Sequence, residues 1–294
     1  MPGSSTSNDN GRSLEYLITD ALSGVEGCKL TSRALADQAR DYGTARRIDS
    51  RLRTAFINAA GIVAPWTLKE LGIGGGDEFE VDRHSDSDPG VADITITNRS
   101  NSLGISIKHN HDALSHPRPY SLADAMGLAG TNFETDHRAR MEAATKRFRA
   151  AAGGATTFPS LPAGAKLHLY QEACAECATT VNRAGINKDS VTTLFNFLVG
   201  SNFKKVIVKT SQTSRALTSV TVADYTKIKP ATSVTASVDN RTRASSLVLE
   251  FNNGWRIDLR IKNAATAISS SGQVSLKFDA QKKAGTIPPI LTLF

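Results

Sequence analysis

Cysteine is scarce in this 294-residue chain: Cys28, Cys174 and Cys177 are all there are, an odd and small number. A fold stapled by disulfides is therefore not expected, and a reducing compartment is. No stretch approaches the roughly 20 apolar residues of a membrane helix. Residues 4–10, Ser-Ser-Thr-Ser-Asn-Asp-Asn, lack the apolar run of a signal peptide. These absences predict a soluble, cytoplasmic protein with no membrane partner. Aromatic residues make up only 6% of the chain, against 40% hydrophobic and 21% charged residues, with a mean hydropathy of −0.24. That is enough apolar material for one large core or two modest ones, which excludes disorder and a mini-protein.

The formal charge of +7 is unevenly placed. Residues 1–200 hold 21 Lys and Arg against 23 Asp and Glu, whereas residues 201–294 hold 14 against 5. A basic excess confined to the last third suits a polyanion-binding surface, because Lys and Arg that neutralise phosphates release counterions. A merely solvated basic region would give the same count.

Helical spacing of Leu14, Leu17, Ile18, Ala21 and Leu22 predicts a first helix over residues 11–25, after a polar arm of residues 1–10. Further helices are predicted over 31–43 and 44–61, and then Gly72, Gly74, Gly75 and Gly76 punctuate the chain. From residue 92 the pattern becomes a β-hairpin: Ile94 and Ile96 alternate with Thr95 and Thr97, a polar turn follows, and Ile105 and Ile107 alternate with Ser106 and Lys108. Residues 121–152 return to helical spacing, 166–170 read as a strand, and helices continue to Val199. Residues 203–209 and five Thr-, Ser- and Val-rich runs beyond them read as short strands. The chain is thus expected to be α/β, with a mixed-sheet catalytic region over 11–210 and a basic β-rich region over 211–294.

The hairpin carries the chemistry. Alternation puts Ser106, Lys108 and Asn110 on one face, and antiparallel pairing brings Asp93 opposite the Lys108 end of it. Phosphodiester hydrolysis requires a carboxylate to hold Mg²⁺ and an ammonium to orient water and offset charge on the phosphorane oxygens. Asp93 and Lys108 supply both.

The run Asp88-Pro89-Gly90-Val91-Ala92-Asp93, twelve further residues, and Ser106-Ile107-Lys108 resembles the PD-(D/E)xK nuclease motif. It departs at Ser106, which stands where the second acid belongs. Nucleases of this type often bring a glutamate from an N-terminal helix, so the resemblance implies Glu15 as the second metal ligand beside Asp93; Glu78 and Glu80 remain alternatives. The run from Ile105 to Pro119, with His109, Asn110, His111, Asp112, His116 and Arg118, is similar to the HaeIII-type restriction endonucleases. Residues 10–16 and 276–279 add to the likeness. It implies a Mg²⁺-dependent type II enzyme that cuts both strands of double-stranded DNA, with GGCC as the target. A palindromic target calls for a homodimer on DNA.

For base recognition the candidates are Arg241, Arg243 and Arg256 towards guanine, with Asp239 towards cytosine and Asn240 in the same turn. Lys204, Lys205, Lys277, Lys282 and Lys283 are candidates for phosphate, with Arg118, His109 and His111 near the site. Other readings of these residues compete. The histidines invite an HNH site, but Pro117 and Pro119 oppose the helix it needs. Cys174 and Cys177 have half a zinc site's spacing, with His168 the only nearby third ligand; small buried side chains one turn apart are the preferred reading. RNA binding is disfavoured by the few aromatics of the basic region. A non-enzymatic DNA-binding protein is the alternative from another functional class.

Overall fold

The computed structural model describes residues 6–84, 92–99, 101–112, 114–241 and 244–294. Among these residues the elements run α1 (Thr6–Ser23), β1 (Cys28–Leu30), α2 (Ser32–Arg47), α3 (Ser50–Leu71), β2 (Phe79–Arg83), β3 (Ile94–Asn98) and β4 (Asn101–His109). They continue with α4 (Leu122–Ala125), α5 (Asn132–Ala152), α6 (Ala165–Ala184), α7 (Lys188–Leu198), β5 (Lys204–Thr210) and β6 (Leu217–Asp224). The last strands are β7 (Val234–Arg241), β8 (Ala244–Phe251), β9 (Arg256–Asn263), β10 (Leu276–Ala284) and β11 (Ile290–Thr292). The protein is α/β with a mixed sheet, as the hydropathy pattern predicts. No helix among the described residues is long and apolar enough to cross a membrane.

The contacts form two compact units that do not follow a single boundary near residue 210. One contains Met1–Asp112, Ser201–Ile228 and Pro288–Phe294, and the other Ala113–Gly200 and Lys229–Ile287. The physical reason is strand pairing: β5 and β6 extend the sheet that holds the hairpin, so the chain returns to the first unit after its central helices. The charge divides with the units. The first has 17 Lys and Arg against 17 Asp and Glu, and the second 18 against 11, so the basic excess includes helices as well as the last strands.

In the first unit the sheet order is β1-β2-β3-β4-β5-β6-β11, parallel at β1/β2 and β4/β5 and antiparallel elsewhere. Period-two alternation sends Ile94, Ile96, Ile105, Ile107, Val206, Val208, Val220 and Val222 to one face, where they bury Leu14, Ile18 and Leu22 of α1 and Phe56, Ala59 and Val63 of α3. The spacing of these helical residues is that of a single apolar stripe. The second unit has an antiparallel sheet of order β10-β9-β8-β7, with α6 against β7 and β8 and Phe195 of α7 edge-on to Phe251 and Trp255.

Several boundaries differ from the sequence expectation, among them a break between α4 and α5 within the predicted helical stretch 121–152. Residues 6–10 belong to α1 rather than to an arm; Asp9 in the first turn favours the positive end of the helix dipole. The predicted helix over 44–61 is split, because Asp49 caps α3 by accepting from the N–H groups of Arg51 and Leu52, both at 3.0 Å. That helix then runs on to Leu71 and stops at Gly72, whose φ of 67° only glycine adopts without strain. Residues 166–170 are helical, not extended: Leu169, Ala173, Cys177 and Val181 form a buried stripe at four-residue spacing, which outweighs the short alternation.

Phe56 has no exposed surface. Phe56→Ala is expected to lower unfolding stability by about 3–5 kcal/mol, measured by urea denaturation of the purified protein.

Candidate active site

The β3–β4 ladder closes at Ile94 opposite Ile105, and Asp93 sits one residue beyond it, its N–H donating to the Ile105 carbonyl at 2.8 Å. Close approach there is permitted by Gly104, where a Cβ would stand 3.1 Å from that of Ala92. The Asp93 carboxylate turns back over the end of β4. Its Oδ2 accepts from the Ile107 N–H at 2.5 Å, the Ser106 hydroxyl at 3.2 Å and the Lys108 ammonium at 3.1 Å. Asp93 and Lys108 keep 23% and 25% of their side-chain surface exposed, so the pair is held by the protein yet open to solvent on one side.

Glu15 on α1 is the acid brought towards this pair. Its Oε2 accepts from Arg83 Nη2 at 3.0 Å, and Arg83, almost fully buried at the end of β2, also meets Asp41 at 3.0 Å and Gln38 Oε1 at 3.1 Å. Burial, then the negative charge of Asp93, push the Glu15 carboxyl up to about 7 against the opposing charges of Arg83 and Lys108. Glu78 and Glu80 face solvent, with Glu78 paired to Lys29 at 3.0 Å. They lie on the face of β2 opposite Phe79 and Val81, which removes them from the core face where Arg83 meets Glu15. Asp93, Glu15 and the Ser106 hydroxyl make an all-oxygen donor set. Oxygen donors of this kind are those that a small hard divalent cation takes, with one or two carboxylates and retained waters. No cluster of three or more His, Cys, Asp or Glu suited to a metal occurs among the described residues.

Asn110 does not continue the alternation. Its φ of 63° ends the strand, and its side chain is turned to β5, with Oδ1 accepting the Thr210 N–H at 2.8 Å. His109 is also turned from phosphate: its Nε2 lies 2.9 Å from Thr210 Oγ1 and its ring is edge-on to Phe56 at 4.9 Å. Burial holds its pKa down at about 4, so it is neutral at pH 7. His111 lies at the surface, where partial desolvation of its ring, then the charges of Lys108 and Lys205, lower its pKa against the opposing charge of Asp112. After β4 no helix begins at once, since residues 114–118 are irregular; this is not an HNH unit.

Lys205, a phosphate candidate from the sequence, has a setting that the sequence does not reveal. It is buried on β5, in register with Ser106, and its ammonium is 2.6 Å from Asp112 Oδ1. Nothing in the alternating run Lys204 to Thr210 distinguishes it from Lys204, which pairs with Glu70 on the surface. The position becomes recognisable only once β5 is known to lie beside β4.

The base-reading candidates fall in the second unit. Asn240 is exposed and accepts from Ser245 Oγ at 2.8 Å, Asp239 is half-buried, and Lys277 and Arg118 are exposed. Arg256 is 46% exposed but already meets Glu250 at 3.3 Å and Asp258 at 3.5 Å. Lys282 lies 4.2 Å from the centroid of the Trp255 ring. Residues 85–91, with the Asp88-Pro89 of the motif, lie outside the described residues, as do Arg243 and the side chain of Arg241. Cys174 and Cys177 are fully buried in α6, and burial raises the Cys174 thiol to about 12 and that of Cys177 well above its ordinary value. They are packing residues, and His168 lies on the same helix rather than on a strand.

No protein-family model matches this sequence, and no curated protein matches it. Among solved structures, the chain is similar to the restriction endonuclease MspI in complex with its cognate DNA, over 79% of this chain and 81% of that one, at 9% identity and a TM-score of 0.28. A score of that size carries no functional inference.

The depressed His109 pKa has a signed consequence. The unfolded chain takes up a proton near pH 6.5 and the folded one only near 4, so the stabilising difference is complete above 6.5 and is lost as pH falls towards 4. NMR titration of the imidazole should show His109 still neutral at pH 5.5; a midpoint near 6.5 would contradict its burial.

Proposed function

We propose that the protein is a Mg²⁺-dependent endonuclease of the PD-(D/E)xK type, cutting double-stranded DNA at a short palindrome. The observation that carries this reading is the convergence of the Ile107 N–H, the Ser106 hydroxyl and the Lys108 ammonium on one oxygen of Asp93. A solvated charge pair on a hairpin would need neither the backbone donor nor the adjacent acid on α1.

Asp93 and Glu15 would hold the metal, which when bound supplies positive charge at a phosphate oxygen and a more acidic water. Glu15 at about 7 sits where a cation favours its ionised form. Lys108 stands beside Asp93, positioned to orient the attacking water and to neutralise charge that grows on the phosphate oxygens. Water adds to phosphorus and gives up a proton, one bond from phosphorus to a deoxyribose oxygen breaks, and the leaving oxygen takes up a proton, giving a phosphomonoester and a hydroxyl. Ser106 acts on Asp93 rather than on substrate: its hydroxyl fixes the carboxylate.

The excess of 18 Lys and Arg over 11 Asp and Glu in the second unit supplies attraction to a polyanion. In this reading Arg118, Asp239, Asn240, Arg256 and Lys277 contribute to grip and base reading, with Arg241 and Arg243. Two copies related by a twofold axis would cut both strands of a palindrome, for which GGCC is the target suggested by the likeness of the hairpin segment to HaeIII-type enzymes. The cytoplasm is the proposed location.

Asp93→Asn and Lys108→Met are each expected to slow plasmid cleavage in Mg²⁺ by at least about 100-fold, with melting temperatures near that of the wild type. EDTA should stop cleavage by the wild type and magnesium should restore it. A non-enzymatic DNA-binding protein would give a gel shift and no cutting in either condition.

A further inference from the structure

Parallel pairing of β4 and β5 puts Lys205 beside Ser106, on the sheet face that also bears Lys108. The Lys205 side chain is 3% exposed and that of Asp112 47% exposed. The ammonium donates to Asp112 Oδ1 at 2.6 Å, has Tyr225 Oη at 3.3 Å, and lies 4.5 Å from the centre of the Tyr225 ring. A buried cation is therefore covered by a surface carboxylate. Burying an ammonium costs several kcal/mol unless an anion and hydrogen bonds compensate it, so a position of this kind is held for its charge rather than for packing. Its setting is the candidate active site, because the charges of Lys108 and Asp93 both act on Lys205, and those of Lys108 and Lys205 both act on His111 next to Asp112.

A carboxylate oxygen and a phosphate oxygen are equivalent acceptors for an ammonium. Exchanging one for the other keeps an anionic oxygen at the buried ammonium, whereas removing Asp112 with no replacement takes away the carboxylate that Lys205 meets at 2.6 Å. Asp112 lies at the start of the irregular segment after β4, beyond the strand that ends at His109, so its carboxylate is not fixed by the ladder. Tyr225, whose hydroxyl donates to Asp112 Oδ1 at 3.5 Å, is itself fixed by burial and by stacking on Phe203 with ring centres 4.8 Å apart.

We propose that Lys205 and Tyr225 form a phosphate-oxygen site that Asp112 occupies in the free protein, and that a backbone phosphate of duplex DNA displaces Asp112 when the substrate docks. The assignment of the ligand to DNA rests on the nuclease reading; the exchange itself rests on the geometry. Lys205 then becomes a second cation of the site, in the neighbourhood where Ser106 leaves the acid of the motif missing. An acid at position 106 would compete with phosphate for this same ammonium.

The test is a double-mutant cycle on metal-free DNA binding, read by fluorescence anisotropy with a duplex containing GGCC. Asp112→Asn should tighten binding about fivefold in the wild-type background, about 1 kcal/mol, and should give no gain in Lys205→Met. An equal gain in both backgrounds means that only repulsion by Asp112 was removed, and overturns the exchange while leaving the nuclease reading intact. Lysine methylation mapped by mass spectrometry needs only the Asp112→Asn protein: Lys205 should be protected in the wild type, reactive in the variant and protected again by duplex. Reactivity unchanged by duplex overturns the proposal. Inorganic phosphate is the second arm. If it protects Lys205 and duplex does not, the site takes free phosphate and its assignment to DNA is overturned. If the wild type fails to bind or cut any duplex, the nuclease reading falls, and with it the assignment to DNA.

Discussion

Everything at the site depends on one acceptor, the Asp93 Oδ2, being saturated by donors from three consecutive residues of β4. A carboxylate held so cannot rotate freely, and Lys108 cannot leave it without stranding part of a charge-assisted network. The arrangement exists because the β3–β4 ladder stops one residue short of Asp93, which frees the side chain to fold over the strand end. Below it, Ile94, Ile105 and Ile107 are locked against α1 and α3 by burial. The apolar face thus fixes the register, and the register fixes which polar groups meet on the other side.

Two buried cations flank that centre, and each is paired differently. Arg83 lies among Glu15, Asp41 and Gln38 within the core side of the first unit. Lys205 reaches the opposite sheet face and is covered by a half-exposed acid. Buried charge of this density is a poor way to stabilise a fold, since desolvation offsets most of the attraction. Its concentration around one strand end is what the proposed nuclease reading would put to use. The first unit nonetheless carries no net charge, with 17 residues of each sign, and the basic excess lies in the other unit.

Much of this was legible in the sequence for physical reasons, and the failures have physical reasons too. Alternation of Ile with Thr and then with Ser and Lys has only one folding solution that buries the isoleucines, so the hairpin and the meeting of Asp93 with Lys108 could be read directly. Asn110 could not, because alternation assumes that the strand continues, and a left-handed residue ends it. His109 looks like any polar loop histidine until its neighbour is seen to be Phe56. The start of the helix over residues 165–184 was hidden by five residues with period-two spacing, too short a window to distinguish from one face of a helix. The place of Lys205 beside Ser106 was invisible because parallel pairing joins segments 99 residues apart, and no local pattern reports it.

Sequencing the ends produced from a long duplex, incubated with the purified protein and Mg²⁺, tests the central claim most directly. The account predicts discrete fragments whose termini all fall within one short palindrome. Intact DNA, or ends scattered without a common sequence, would contradict it.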